Sequence, residues 1–366
     1  MRELHHISSM GSRESACVIT QVRSTGKARS PFRYPGGKSR MLRTLRPKLD
    51  RLVAGKRVFC DVFVGGGSVL LDVAARYPDT KLVANDADYG IACFWRIVAS
   101  DQYPELCNLL RDAEVNVEAF KRMKVRDLGN LSAVEAAYTR LYLNRTSYNG
   151  LGRLPQGGKT QANPKYSILS HWNLDDLITR IENCHRLLAG RLEVTNLHFR
   201  DFLRAHRYEP CYLDPPYTVA GLGLYSISMS HQEHEDLANL LLDRADWLLS
   251  IDDAPQVRKW YRGAAIRKIP VQYSIVGRKT RCKRTHELLI ADRVHGQAKN
   301  ATIHIPRSRA ASQGRARRTP HLHMRPSTQR GPRCASGESL RQLTRRFAPN
   351  AGQRGCWAEG QLSIPS

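Results

Sequence analysis

The sequence predicts an α/β fold in which a sheet is interrupted by a mostly helical insertion. Three observations carry this. Strand-like runs at Val58–Val62 and Lys81–Ala84 flank a Gly-rich turn and an apolar stretch suited to a helix, Ser68–Ala75, which is βαβ arithmetic. Strands return only at Leu192–Val194 and Cys211–Leu213. Between the two groups, Asp101–Tyr142 is helical in character, with Leu106, Leu109 and Leu110 spaced for one face and Ala133, Ala136, Ala137 and Leu141 for another.

The remaining elements follow in order. A Gly- and Asn-rich passage covers 144–158. The string WNLDDLITRIENCHRLLAG reads as a capped helix: Asn173 accepts from first-turn amides, Asp175 and Asp176 suit the positive end, and Gly190 closes it in a left-handed conformation. Ser230 and Glu233 make a capping box for a helix through Leu242. A strand at Trp247–Ile251 and two more near Ile266–Ile275 and Glu287–Ala291 complete the sheet. The chain therefore divides into one α/β domain from 30–100 and 173–295, an insertion at 101–172, and flanks at 1–29 and 296–366. The flanks lack any sustained period and are expected to be disordered, because such a composition buries too little apolar surface to offset chain entropy.

Charge narrows the class. Lys and Arg number 58 against 33 acidic residues, a net of +25, which points to a polyanion partner. The segment 296–366 holds 12 Arg and one Lys against Glu338 and Glu359, a net of +11, so +14 remains for residues 1–295. Hydrophobic residues at 41% suffice for an ordinary core and exclude a wholly disordered chain. No stretch approaches the roughly 20 apolar residues of a spanning helix. The N-terminus has no apolar signal core, so a cytoplasmic protein without membrane contact is expected. Nine scattered cysteines without a C-x-x-C pair suggest reduced, buried thiols. No His or Cys set has metal-ligand spacing, and no metal is expected.

Two motifs carry chemistry. In DVFVGGGSVLL, residues 61–71, a strand runs into a Gly-rich turn and a helix, which lets main chain approach a ligand. Asp86 follows Gly67 by 19 residues, at the end of the next strand, where a carboxylate can accept ribose hydroxyls. The string is neither G-x-G-x-x-G nor a P-loop, so a nucleoside cofactor without a pyrophosphate fits better. In YLDPPY, residues 212–217, two prolines after a strand make a stiff turn that holds an acid and an aromatic ring on either side. Asp214 and the Pro215 carbonyl can accept the hydrogens of a planar exocyclic amine while Tyr217 stacks on its ring; the bland alternative is a rigid strand end.

YPGGK at 34–38, DVFVGGGS at 61–68, Asn85-Asp86, NRTSYNGLGR at 144–153 and DPPY at 214–217, in this order, resemble the Dam-type (D12 class) DNA N6-adenine methyltransferases over about Pro31–Asp292. The resemblance implies a Rossmann-like methyltransferase fold, S-adenosyl-L-methionine as cofactor, and a target-recognition domain inserted in the catalytic domain. It implies transfer of a methyl group to N6 of a flipped-out adenine in double-stranded DNA. By the same resemblance Tyr34, Lys38, Asp61, Phe63, Gly65, Gly67, Asp86 and Asp201 bind the cofactor, Lys38 at its carboxylate end and Asp201 at its adenine amino group. Asp214, Pro215, Pro216 and Tyr217 form the catalytic motif. Asn144, Arg145, Ser147, Asn149, Gly150 and Arg153 contact DNA, although Asn149-Gly150 also reads as a plain turn. The run GRKTRCKR offers Arg278, Lys279, Arg281, Lys283 and Arg284 as a phosphate clamp. Val62 departs from the proline usual in the family, at a position that shapes the turn and does not react.

Alternatives are a cytosine-N4 DNA methyltransferase, whose amine poses a similar problem, and a DNA-binding relative that has lost catalysis. Intact Lys38, Asp86, Asp214 and Tyr217 weigh against the latter. A protein glutamine-N5 methyltransferase is disfavoured, since that class uses N-P-P-Y. The family suggests GATC as the recognition sequence and a monomer associated with the nucleoid. A restriction pair, a mobile element and a housekeeping system all stay open.

Overall fold

The structure, a computed structural model, describes residues 28–33, 37–158, 160–162, 166–218, 228–271 and 285–293. Within them seven strands pair into one sheet: β1 (Val58–Asp61), β2 (Lys81–Asn85), β3 (Leu192–Thr195), β4 (Cys211–Leu213), β5 (Trp247–Asp252), β6 (Ala265–Val271) and β7 (Thr285–Ala291). Their order is β3-β2-β1-β4-β5-β7-β6. The first five run parallel, and β7 pairs antiparallel with both β5 and β6. From β1 the chain builds outward to β2 and β3 on one side and to β4 and β5 on the other. Such a reversal of strand order leaves a crevice at the carboxyl ends of the two central strands.

Ten α-helices lie among the described residues: α1 (Leu42–Val53), α2 (Ser68–Arg76), α3 (Tyr89–Ala99), α4 (Tyr103–Arg111), α5 (Val117–Lys124), α6 (Ala133–Thr146), α7 (Leu174–Leu188), α8 (Phe199–Ala205), α9 (His231–Leu242) and α10 (Pro255–Trp260). They cover both faces of the sheet because successive strand residues point to opposite sides. Phe59, Leu82, Tyr212 and Leu248 join a core with α1, α2, α3 and α7. Their neighbours Cys60, Val83, Cys211 and Leu249 join a second core with α8, α9 and α10.

The expected strands are present, with the Ile266–Ile275 reading observed as far as Val271 and its last four residues outside the described set. Asn173 caps α7 by accepting from Asp176 N, Gly190 stands at φ 74, and Ser230 and Glu233 form the capping box of α9. Two long helices were not legible. In α1, Pro47 sits inside the helix, yet Leu45, Leu49 and Leu52 are buried along one face. At ~1.5–3 kcal/mol each, that burial outweighs the ~3 kcal/mol proline penalty. In α3 eight residues are buried, so apolar positions surround the axis and leave no amphipathic period to read.

The helices of 101–172 share the apolar core of the sheet. Leu106, Phe120, Leu141 and Ile168 belong to the same apolar cluster as Leu82 and Tyr212. Gly90 of α3 permits the close crossing with α6, since a Cβ there would lie 2.6 Å from Arg140 Cβ. Cys60, Cys93, Cys107, Cys184 and Cys211 are buried free thiols, as expected. The segments 1–27 and 294–366, which contain nearly all of the two expected disordered flanks, lie outside the described residues.

Candidate active site

A single cavity gathers the ends of the central strands. Asp61 ends β1, Asp86 follows β2 and Asp214 follows β4, and all three line its wall. With them stand Lys38, Phe63, Gly65, Gly67, Pro215, Pro216 and Tyr217. Four segments distant in sequence thus meet at one cavity. Tyr34 lies outside the described residues.

The Gly-rich turn is braced from behind by a residue the sequence reading missed. Trp95 of α3, fully buried, donates its indole N–H to the Gly65 carbonyl at 2.9 Å. Gly67 caps α2 at φ 66, and a Cβ on it would lie 2.3 Å from Trp95 Cζ2. Glycine is therefore demanded at 67 by the indole and by the left-handed backbone, which refines the expectation of close approach to a ligand. The Gly65 amide donates to Asp86 Oδ2 at 2.8 Å, and the Asp88 amide donates to Asp86 Oδ1 at 2.9 Å. Each carboxylate oxygen has a further lone pair. Burial, then the nearby Asp88, push the Asp86 pKa up to about 6, against the two amides and Arg140. Asp61 is 2% exposed, and its Oδ1 is buried without a hydrogen-bond partner among the described residues. Burial, then Asp214 and Asp86, raise its pKa well above the carboxylate range.

The acid of the D-P-P-Y turn is held by one oxygen. Asp214 Oδ1 accepts from Lys38 Nζ at 2.7 Å and from Ser250 Oγ at 3.2 Å. Ser250 in turn shares a hydrogen bond with the Tyr212 hydroxyl at 2.7 Å. Both of these contacts fall on Oδ1. Burial raises the Asp214 pKa, Lys38 opposes that, and Glu287 adds to it. Lys38 also donates to the Tyr217 hydroxyl at 2.9 Å and stands 3.8 Å from Glu287 Oε2. The Tyr217 hydroxyl donates to Glu287 Oε1. Thr218 ties the end of the turn to Asp252 through its amide at 3.0 Å and its hydroxyl at 2.9 Å. Ser250 and Glu287 were not singled out by sequence. The available signal was a polar residue inside an apolar strand run, WLLSI and HELLI, and both are 0% exposed.

Asp201 is not brought to the cavity. Its side chain is 63% exposed and pairs with Arg204 at 3.3 Å, while Leu197, His198 and Phe199 take that wall. Two residues along a helix turn through about 200°, so with Phe199 facing inward Asp201 must face solvent.

The expected DNA loop splits into internal and surface residues. Asn144 accepts from Arg33 N and donates to the Arg33 and Gly150 carbonyls, each at 2.8 Å, so its amide is fully engaged inside the fold. Ser147 is 0% exposed, and its Oγ accepts from Gly152 N at 2.8 Å. These two residues hold the loop and do not present themselves to DNA, a correction to their expected role. Asn149 and Gly150 have φ 57 and 75, a tight turn that brings Gly150 to the cavity wall. Arg153 and Tyr148 are exposed beside it. Arg145 is buried, and among the described residues its guanidinium makes no hydrogen bond. Burial, with Arg180 and Arg33, lowers its pKa to about 10. Burial, with Arg33 and Arg145, takes His171 down to about 4. Arg278, Lys279, Arg281, Lys283 and Arg284 lie outside the described residues.

Among the described residues no helix is long and apolar enough to cross a membrane. Residues 34–275 match the family described as D12 class N6 adenine-specific DNA methyltransferase. The chain is 27% identical over 207 residues to the Type II methyltransferase M.MjaIII of Methanocaldococcus jannaschii, covering 51% of this chain and 68% of that protein. It is 26% identical over 281 residues to the DNA adenine methylases of Salmonella typhi and Escherichia coli (strain K12), covering 72% of this chain and 95% of each of them.

Proposed function

This chain belongs to the D12 class N6 adenine-specific DNA methyltransferases, and from that premise we propose which residues carry the reaction. The chain is an enzyme that methylates adenine in DNA, so its site must hold a methyl donor beside an exposed amino nitrogen. The donor proposed is S-adenosyl-L-methionine. The chemistry of the cavity fits it. Asp61 Oδ1, buried and without a partner, suits the ammonium of a methionine moiety. Asp86 has one lone pair to spare on each oxygen for ribose hydroxyls. Phe63 and Phe199, with ring centroids 6.1 Å apart, supply apolar wall. When bound, the donor supplies a methyl group on a sulfonium, a leaving group that needs no protonation.

What the protein adds is alignment and electrostatics. A target adenine inside a duplex is out of reach of this cavity, so we propose that it is flipped out, at a cost of roughly a few kcal/mol. Tyr217 stacks on the flipped ring. Its hydroxyl is anchored between Lys38 and Glu287, which fixes the ring plane before substrate arrives. Asp214 Oδ2 and the Pro215 carbonyl accept the two amino hydrogens. That withdraws the nitrogen lone pair from conjugation, so that it can form the new N–C bond as the methyl group leaves sulfur. Asp214 acts through its charge and need not be a strong base, since the methylated amine loses its proton readily. The surplus proton on the methylated nitrogen passes to Asp214 or to solvent, and the electron pair of the broken S–C bond stays on sulfur as a neutral thioether.

The insertion, 101–172, is proposed as the target-recognition region, with Asn149, Arg153 and the basic run at 278–284 facing DNA. Arg145 is a buried guanidinium with Arg180 and Arg33 near it and Asp176 opposing them in part, and it is proposed to meet a backbone phosphate. Gly150 links the loop to the cavity it serves.

The observation that carries this reading is the convergence of Asp214, Asp61 and Asp86 on one cavity with the D-P-P-Y turn at its mouth. Asp214→Ala is expected to abolish transfer of radiolabelled methyl groups to DNA while calorimetry still records donor binding. Turnover near that of the wild type would overturn the assignment.

A further inference from the structure

Behind the D-P-P-Y turn lies a carboxylate that the proposed chemistry does not use. Glu287 sits in the middle strand of the antiparallel edge, β7, and is 0% exposed. Burying an acid away from solvent is costly unless charge and hydrogen bonds compensate it. Here the compensation comes from the site itself: Tyr217 donates its hydroxyl to Glu287 Oε1, and Lys38 Nζ stands 3.8 Å from Oε2. Lys38 in turn holds Tyr217 at 2.9 Å and Asp214 at 2.7 Å. One lysine therefore faces two carboxylates on different strands, with a phenol between them.

We propose that Glu287 is a positioning residue for methyl transfer, holding Lys38 and the Tyr217 ring so that Asp214 Oδ1 is pinned and Oδ2 is presented to the target amine. The inference rests on the reading of Asp214 and Tyr217 as the groups that touch the adenine. Without Glu287 the tyrosine hydroxyl loses its acceptor and the ring its fixed plane. Lys38 loses a carboxylate neighbour, and more of its charge falls on Asp214, which weakens that carboxylate as an acceptor. The groups facing Asp214 are Lys38 before α1, Asp61 of β1, Tyr212 of β4, Ser250 of β5 and Glu287 of β7. Of these, Glu287 is the one whose negative charge reaches Asp214 from behind Lys38.

The test is steady-state methylation by the full chain across pH, with Glu287→Gln, Glu287→Asp and Tyr217→Phe. Glutamine preserves the shape and removes the charge. Glu287→Gln is expected to lower kcat by about tenfold or more, with KM for DNA and for S-adenosylmethionine within about twofold. It is also expected to move the acidic limb of the kcat profile to lower pH, because a negative neighbour of Asp214 is gone. Glu287→Asp should recover part of kcat. Tyr217→Phe keeps the ring and removes the linking hydroxyl; combined with Glu287→Gln it should cost little more than either change alone. If Glu287→Gln leaves kcat and its pH profile at wild-type values, or the two changes multiply as independent sites, the inference is overturned. An active Asp214→Ala enzyme would instead overturn the reading beneath it, so the two failures are distinguishable.

Discussion

Lys38 Nζ and Asp214 Oδ1 lie 2.7 Å apart, a contact between the turn before α1 and the turn after β4. The lysine side chain is 3% exposed and the aspartate 23%. By the family resemblance Lys38 was expected at the carboxylate end of the cofactor. In the structure its Nζ donates to Asp214 and to the Tyr217 hydroxyl, both in the D-P-P-Y turn.

That pairing has a consequence for stability. Lys38→Met leaves Asp214 and Glu287 facing each other without their shared cation. Loss of one partner from a buried pair costs about 3–5 kcal/mol, and solvent contact at Asp214 places this case toward the lower end. Urea unfolding should show a lowered midpoint for Lys38→Met and partial recovery in Lys38→Met combined with Asp214→Asn. A midpoint equal to that of the wild type would show that the pair contributes nothing.

With Asp86 in the proposed ribose-binding role, its pKa, pushed up to about 6, is expected to make cofactor affinity pH dependent. Its folded value is raised, so its contribution to fold stability is fully present below the ordinary carboxylate range and is lost as pH rises through about 6. Ligand binding has the opposite sign, since ribose hydroxyls donate more strongly to an ionised carboxylate than to a protonated one. Calorimetric affinity for S-adenosylmethionine is expected to fall as pH drops from about 7.5 to about 5.5. Asp86→Asn should bind weakly throughout and show a flatter profile.

Gly67→Ala tests the brace on the Gly-rich turn. The new methyl group would lie 2.3 Å from the Trp95 ring, on a backbone at φ 66. Overpacking costs typically 1–3 kcal/mol and the left-handed backbone about 1–2 more. Chemical unfolding should report a loss of roughly 2–5 kcal/mol, with weaker donor binding in the fraction that remains folded. Unchanged stability would mean that the indole is free to move away.

DNA affinity should fall steeply with salt, by a slope set by the number of phosphates neutralised. Replacing Arg281, Lys283 and Arg284 by glutamine is expected to weaken binding to all sequences alike and to reduce the slope by about 0.9 per lost contact. A slope that does not change would remove the basic run from the DNA interface.

The strands in chain order and most of the cavity were legible because they rest on local signals. Glycines after a strand, an acid at the end of the next strand and two prolines after a third are each read within a few residues of chain. Asp201 misled because a motif residue and its inward-facing neighbour, Phe199, differ only by rotation about α8, which a string of letters does not display. Asn144 and Ser147 misled in a similar way: polar side chains in a loop look available for DNA until the carbonyls and amides they satisfy are known. Trp95, Ser250 and Glu287 sit in helix or strand interiors, where an aromatic or polar residue reads first as part of the element.

From sequence alone came the class of fold, the adenine methyltransferase family and the four segments that meet at the cavity, since chain-local geometry and motif order specify them. Tertiary structure alone decided how charge is distributed within that site. Lys38, Asp214 and Glu287 come from segments far apart in the chain, and the partner of a buried ion is set by which strands lie side by side. Electrostatic interaction between buried groups depends on separation in space and on the exclusion of water, and neither is encoded in any short stretch of residues.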